Sequence, residues 1–142
     1  MPSTPSTPST VIPAFRYMDA PAAIEWLCRV IGFAQHLVIP NPDGTIAHCE
    51  LTLNGGMIML GSWRDDEHSR RFRSPRDIGA ETAMVYVVVE DTEAVYTRAK
   101  DAAAEILKPP YHTDYGSHEC SFKDPEGHSW TVGTYDPWKP QP

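Results

Sequence analysis

A chain that matches itself at a fixed offset is constrained to fold as two copies of one unit, and this sequence does so. Displacing its 142 residues by 72 positions superimposes Asp19 on Asp91, Ala22 on Ala94, Gly44 on Gly116, Gly55 on Gly127 and Gly61 on Gly133 without a gap. Aspartate is a helix-capping residue and glycine a turn residue, so the shared positions are punctuation marks. The repeat therefore fixes the order of elements in both halves, a strand, a helix and three strands.

In the first half Val11 to Met18 reads as extended, with Asp19 as an N-cap and Pro21 tolerated in the first helical turn. Ile24, Leu27, Cys28 and Ile31 follow at helical spacing, and Gly32 supplies the stop. Strands are expected over 35–39, 45–53 and 57–61, separated by Asn41-Pro42-Asp43-Gly44 and Asn54-Gly55-Gly56. The second half repeats this with a strand over 84–90, Asp91 as N-cap and an apolar stripe of Val95, Ala99, Ala102 and Ala103. Strands over 105–107, 117–122 and 128–135 complete it. Between the halves, 63–81 is an arginine-rich, charged stretch expected to be a solvated crossover. The expected organisation is a Ser/Thr/Pro tail over 1–11, module one over 12–62, the linker over 63–81, module two over 82–135, and a flexible tail over 136–142.

Two tandem βαβββ modules, the segment Ala22-Ala23-Ile24-Glu25-Trp26-Leu27 before Gly32-Phe33, and Tyr115-Gly116 followed by Asp124-Pro125-Glu126-Gly127-His128 together resemble the vicinal oxygen chelate superfamily. Glyoxalases, bleomycin-resistance proteins and extradiol dioxygenases are among its members. The resemblance covers residues 12 to 135 and implies an α+β fold in which two modules curl mixed sheet around a shared cleft, commonly as a homodimer. Metal-dependent members place His, Glu or Gln on the opening and closing strands of each module. The matching positions here are Ile12, Met59, Met84 and Thr131. None of the four is a competent ligand for a hard or borderline divalent cation. No metal and no other cofactor is therefore expected.

Strand alternation sorts the remaining positions. Phe15, Tyr17, Ala47, Cys49, Leu51, Leu53, Ile58, Leu60, Val85, Val87, Val89, Trp130 and Val132 are expected to face the helices, which leaves Arg16, His48, Glu50, Met57, Met59, Met84, Tyr86 and Thr131 for the cleft, with His118 and Cys120 beside them. His48 and Glu50, two apart on one strand, suit a general base with its carboxylate or, with His118, a displaced metal triad; a cross-sheet hydrogen bond fits them equally. Arg16 suits an anion clamp or a partner for Glu50. Met57, Met59, Met84, Tyr86, Trp63 and Tyr115 suit an adaptable pocket for an aromatic or greasy molecule. His36, His68, His112 and His128 read as solvated, and Trp26 and Trp130 as core.

Function classes narrow further on charge and composition. Nineteen acidic against 12 basic residues give a net charge of -7, which disfavours nucleic acid as a partner. No apolar run reaches the ~20 residues of a membrane span. The cysteines, Cys28, Cys49 and Cys120, form no CxxC pair, and the N-terminus carries neither a basic nor an apolar signal region, so a cytoplasmic protein is expected. No GxSxG, GxxxxGK[ST], HExxH or GxGxxG motif occurs. The sequence thus points to metal-independent binding of a small hydrophobic or aromatic molecule by a homodimer. The alternative is a lyase, isomerase or dioxygenase acting through His48, Glu50 and His118.

Overall fold

The computed structural model describes residues 8–140, so residues 1–7 and 141–142 of the expected tails lie outside it. Module one runs β1 (Ala14–Tyr17), α1 (Ala20–Trp26), β2 (Ala34–Pro40), β3 (Ile46–Leu53) and β4 (Gly56–Ser62). A short helix α2 (Pro75–Ile78) lies in the linker. Module two runs β5 (Val85–Val88), α3 (Thr92–Asp101), β6 (Ile106–His112), β7 (His118–Lys123) and β8 (Ser129–Gly133). The fold is α+β, with one mixed four-stranded sheet per module, ordered β1-β4-β3-β2 and β5-β8-β7-β6. In each, the opening strand lies parallel to the closing one and the other pairs are antiparallel.

The 72-residue repeat extends to individual hydrogen bonds. Asp19 Oδ1 accepts from Ala22 N at 3.2 Å and Asp91 Oδ1 from Ala94 N at 3.0 Å, each satisfying a helix N–H that has no partner within its own helix. Ser62 Oγ accepts from Ile46 N at 2.8 Å, and Thr134 Oγ1 from His118 N at 3.0 Å. Gly44 and Gly116, at φ of 87° and 83°, close matching turns in a left-handed conformation that costs a side chain dearly.

Two local departures have clear causes. A bulge in the pairing of β2 with β3 places Pro40 opposite Ile46 directly after Ile39 opposite His48, which makes Ala47 the extra residue. Ile46 therefore takes the core position expected for Ala47, which is exposed. At the end of α3, Ala103 has φ of 59° and is exposed, so the apolar stripe stops a turn earlier than its spacing suggests. Helix α1 instead runs on through a wide turn over Leu27–Ile31, until Gly32 ends it at φ of 105°.

Both sheets and both long helices meet in one core. Tyr17, Cys49, Leu51 and Leu60 from the first sheet join Cys120, Phe122, Trp130 and Val132 from the second, with Leu27, Val30 and Ala99 from the helical segments. Rings from one module pack on rings of the other: Trp26 on Phe122 at 5.9 Å, Phe33 on Trp130 at 6.0 Å and Phe15 on Trp130 at 5.7 Å. Each such side chain contributes roughly 1.5–3 kcal/mol by leaving water.

A polar clasp completes the join. Asp124 is only 4% exposed, yet its carboxylate accepts from Tyr17 Oη at 2.6 Å, Trp130 Nε1 at 3.1 Å, Glu126 N at 3.0 Å and His128 N at 3.1 Å. Glu126 then reaches across to accept from Met18 N and Asp19 N at 2.7 and 2.9 Å, next to the N-terminus of α1. The Asp-Pro-Glu-Gly turn of module two thus holds the start of the helix in module one.

Candidate functional site

Because both sheets turn one face to the common core, their other faces are turned outward, one per module. Strand pairing sets the rows on each face. On module one, Ala14, Met59, Glu50 and Leu37 pair in sequence across β1, β4, β3 and β2, and beside them Arg16 pairs with Gly61 and Ile39 with His48. Leu37 and Ile39 are 42% and 45% exposed and Met57 and Met59 half-buried, which puts apolar side chains on both sides of the β3 row of His48, Glu50 and Thr52.

The polar groups on the module-one face form a small relay. His48 Nε2 lies 2.8 Å from Glu50 Oε2, and His36 Nε2 lies 3.8 Å from Glu50 Oε1. One half-buried carboxylate is thus flanked by two imidazoles. The cross-strand hydrogen bond anticipated for His48 is in fact made to Glu50 on its own strand. His36 is solvated, as expected, with 60% of its side chain exposed, and also reaches Glu50 because a second bulge, between Gln35 and Leu37, leaves it outside the regular pairing.

Arg16 does not pair with Glu50; its guanidinium lies against Gly61, where a Cβ would fall 2.5 Å from Nη1, and its charge helps hold the Asp66 carboxyl below its usual range. The larger cause of that lowering is the Ser69 N–H donating to Asp66. Asp66 in turn fixes the linker, which is folded back on itself: Trp63 Nε1 donates to Ser69 O and Phe72 O, both at 2.9 Å. The polar edge of Trp63, expected in the ligand pocket, is therefore committed to the linker.

On module two the rows are Val88, Gly133, Glu119, Tyr111 and Tyr86, Thr131, Ser121, Lys108. Glu119 is 5% exposed beneath a roof of phenols, accepting from Tyr111 Oη at 3.3 Å and Tyr115 Oη at 3.0 Å. Tyr86 Oη donates to Tyr135 O at 2.8 Å, and Ser121 Oγ and Thr131 Oγ1 share a hydrogen bond of 2.8 Å. Gly133 makes this packing possible, since a Cβ there would fall 2.6 Å from Tyr86 Oη and 2.7 Å from Glu119 Cγ. Met84 precedes β5 and is 58% exposed.

His118 and Cys120 do not belong to either outward face. Cys120 pairs with Val132, is fully buried in the core, and burial pushes its thiol up to about 11. His118 has the same alternation and turns to α3, where its Nε2 lies 2.8 Å from Glu93 Oε1. The alternation in β7 opposes the one assumed from sequence because Cys120 and Phe122 take the core side, which leaves Glu119 and Ser121 outward. His48, Glu50 and His118 are consequently not brought together. His128, also expected to be solvated, packs between Phe15 and Tyr17 at 5.2 and 5.1 Å.

Away from both faces, a cavity of about 670 Å³ lies between the linker and the β7–β8 turn, lined among others by Trp26, Arg76, Glu81, Lys123 and Pro125. Its charges are already engaged: Lys123 with Glu105 at 3.5 Å, Glu81 with Ser129 N and Oγ, and Arg76 with Pro125 O.

Residues 11–132 match the Glyoxalase/Bleomycin resistance protein/Dioxygenase superfamily. The chain belongs to that superfamily. Uncharacterized proteins of Mycobacterium bovis and Mycobacterium tuberculosis are each 26% identical to it over 115 residues, 81% of this chain and 76% and 68% of theirs. Among solved structures, TioX from Micromonospora sp. ML1 is 30% identical with a TM-score of 0.68, over 88% of this chain and 97% of that one. A glyoxalase I mutant from Zea mays shares the fold at 15% identity and a TM-score of 0.65, over 86% of this chain and 43% of that longer one.

Metal-dependent members of the superfamily set the test for a metal. Of the four implied positions, Met59 and Thr131 sit on the outward faces and Ile12 and Met84 flank β1 and β5, and their thioether, hydroxyl and alkyl groups do not fit a divalent cation of that class. Among the described residues, no group of three or more His, Cys, Asp or Glu is placed to hold one. Sequence reasoning missed Glu119, Tyr111 and His36. The alternation of Glu119 with Cys120 and Phe122 was a usable signal for the first; the bulge that frees His36 leaves none.

Proposed function

We propose that this superfamily member binds a small hydrophobic or aromatic molecule, without a metal, on the outward faces of its sheets. The observation that carries the reading is the apolar side chains on module one, the exposed Leu37 and Ile39 and the half-buried Met57 and Met59, which flank a β3 row whose polar groups His48 and Glu50 are bonded to each other. Methionine conforms to irregular aromatic shapes, and apolar side chains left at the surface around a few bonded polar groups suit a ligand that is mostly apolar. The two faces back onto a common core, so a cleft with both as walls is completed by a second copy of the chain. The active species is accordingly a homodimer in which module one of one copy faces module two of the other. Three cysteines without a disulfide among them suit a reducing cytoplasm.

Calorimetric titration with a panel of aromatic natural products and antibiotics tests the reading, with sedimentation to establish the dimer. Binding of at least one class, lost in Met59→Glu, is the expected result; no heat with any compound from a verified dimer contradicts it.

One observation favours a second, catalytic reading, the 2.8 Å contact of His48 with Glu50, a geometry that suits a general base. It assigns lyase, isomerase or dioxygenase chemistry to His48 and Glu50, with His36 rather than His118 as their neighbour. Turnover of a vicinal oxygen substrate that survives both His48→Ala and Glu50→Gln rules it out.

A further inference from the structure

The module-two face carries a carboxylate that the fold buries without a counter-ion. Glu119 is 5% exposed and, among the described residues, forms no ion pair and accepts hydrogen bonds from Tyr111 and Tyr115 alone. A buried carboxylate is costly unless a cation or a full set of donors satisfies it, and two phenols leave acceptor positions on both oxygens unused. The rings around it stand close together. Tyr115, 58% exposed, packs edge-on against Tyr135 at 5.3 Å, and Tyr86 bonds to the backbone of Tyr135.

A cation already uses this surface. Lys108, on the edge strand β6, lays its ammonium over the Tyr111 ring at 3.8 Å from the centroid, and forms no ion pair among the described residues. The face of Tyr111 is thus oriented to receive an alkylammonium, and the occupant is an exposed side chain on a flexible stem that an incoming group can displace.

We propose that the Glu119, Tyr86, Tyr111 and Tyr115 cluster is a recognition site for an organic cation, an alkylammonium or guanidinium group carried by the bound molecule. The inference rests on the small-molecule-binding reading and names the chemistry of the ligand. The cationic head displaces the Lys108 ammonium from Tyr111, takes up the unused acceptor positions of Glu119, and leaves the hydrophobic remainder of the ligand for Met57, Met59, Leu37 and Ile39 of the facing module. A net charge of -7 favours its approach.

The test compares benzylammonium with its uncharged carbon isostere, ethylbenzene, titrated into the full chain and followed by tyrosine ring shifts in NMR spectra. The cation is expected to bind about tenfold more tightly than the isostere. Glu119→Gln keeps volume and removes the charge, and should erase that preference. Lys108→Met, a surface change that leaves the fold intact, should tighten binding of the cation by about threefold. Equal affinities for the two probes, or a preference unmoved in both variants, overturns the cation site while leaving apolar binding in place. No binding of either probe overturns both.

Discussion

The two modules share a backbone plan to the level of single hydrogen bonds, yet present different chemistry. At the 72-residue offset, Gly61 and Gly133 occupy the same place on the closing strand, and each is glycine because a side chain passes over it. In module one that side chain is the Arg16 guanidinium; in module two it is Tyr86 Oη, with Glu119 and Ser117 beside it. Below the faces, capping aspartates, turn glycines and the hydroxyls of Ser62 and Thr134 are held in common. The scaffold repeats because each of those positions meets a backbone need, whereas the outward positions meet none and have diverged into a face of apolar side chains around the paired His48 and Glu50 and a guanidinium on one module and a tyrosine-roofed carboxylate on the other.

The sharpest asymmetry is the clasp. By strand register Asp124 in module two stands where module one has Leu53, a side chain that accepts no hydrogen bond, whereas Asp124 gathers four donors in the core. Asp124→Ala strands the Tyr17 hydroxyl and the Trp130 indole N–H and should cost about 3–5 kcal/mol in denaturant unfolding. Thr52→Ala, a change on the outward row of module one, should stay within about 0.5 kcal/mol. Equal effects would dissolve the distinction between a clasped module and an unclasped one.

The glycine pair comes next. Gly133→Ala forces the buried Glu119 and the Tyr86 hydroxyl to move and should destabilise by about 1–3 kcal/mol. Gly61→Ala meets the free end of Arg16 first, with Ala47 O behind it at 3.2 Å, and should cost about half as much. Thermal unfolding of the two variants side by side distinguishes them, and a larger loss at Gly61 would contradict the account of what each glycine admits.

Alkaline pH probes the clasp without mutation. Burial first, then the Asp124 charge and hydrogen bond and the Glu126 charge, hold the Tyr17 phenol well above its ordinary value of 10.0. A folded pKa above the unfolded one contributes stability that is full below pH 10 and is lost as pH rises toward the folded value. Stability should therefore fall above about pH 10, and this fall should flatten in Tyr17→Phe. An unchanged slope in the variant would place the titration elsewhere.

The smallest expected effect concerns thiols. Burial pushes Cys49 and Cys120, one on the core side of each sheet, up to about 11, whereas Cys28 is half-buried. Alkylation of the native protein at pH 8 should label Cys28 slowly and the other two only on unfolding. Native labelling of Cys120 would return it to the outward face.

Much of the fold was legible in the sequence because capping aspartates and turn glycines act locally: Asp19, Asp91, Gly32, Gly44 and Gly116 do what their residue types require. The faces were legible where alternation ran unbroken, as in Arg16, Met57, Met59, Tyr86 and Thr131. It failed at Ala47, where a bulge shifts the phase by one, and at His118 and Cys120, where β7 runs in the opposite phase. The role of Asp124 lies between modules, with partners 107 residues apart in the chain, and no local pattern encodes such a contact. Trp63 looked like pocket material because its indole is apolar, but its N–H found two carbonyls within its own linker.

The most direct test of the binding account is a methyl spectrum of the protein labelled at methionine, recorded while a neutral aromatic compound bound by the protein is titrated in. Met57, Met59 and Met84 should shift together, while Met18, exposed beside the Asp124 clasp and away from both faces, should stay in place. Saturable shifts at Met18 with Met57 and Met59 unmoved would contradict the account, and would put the ligand at the join between the modules instead of on their outward faces.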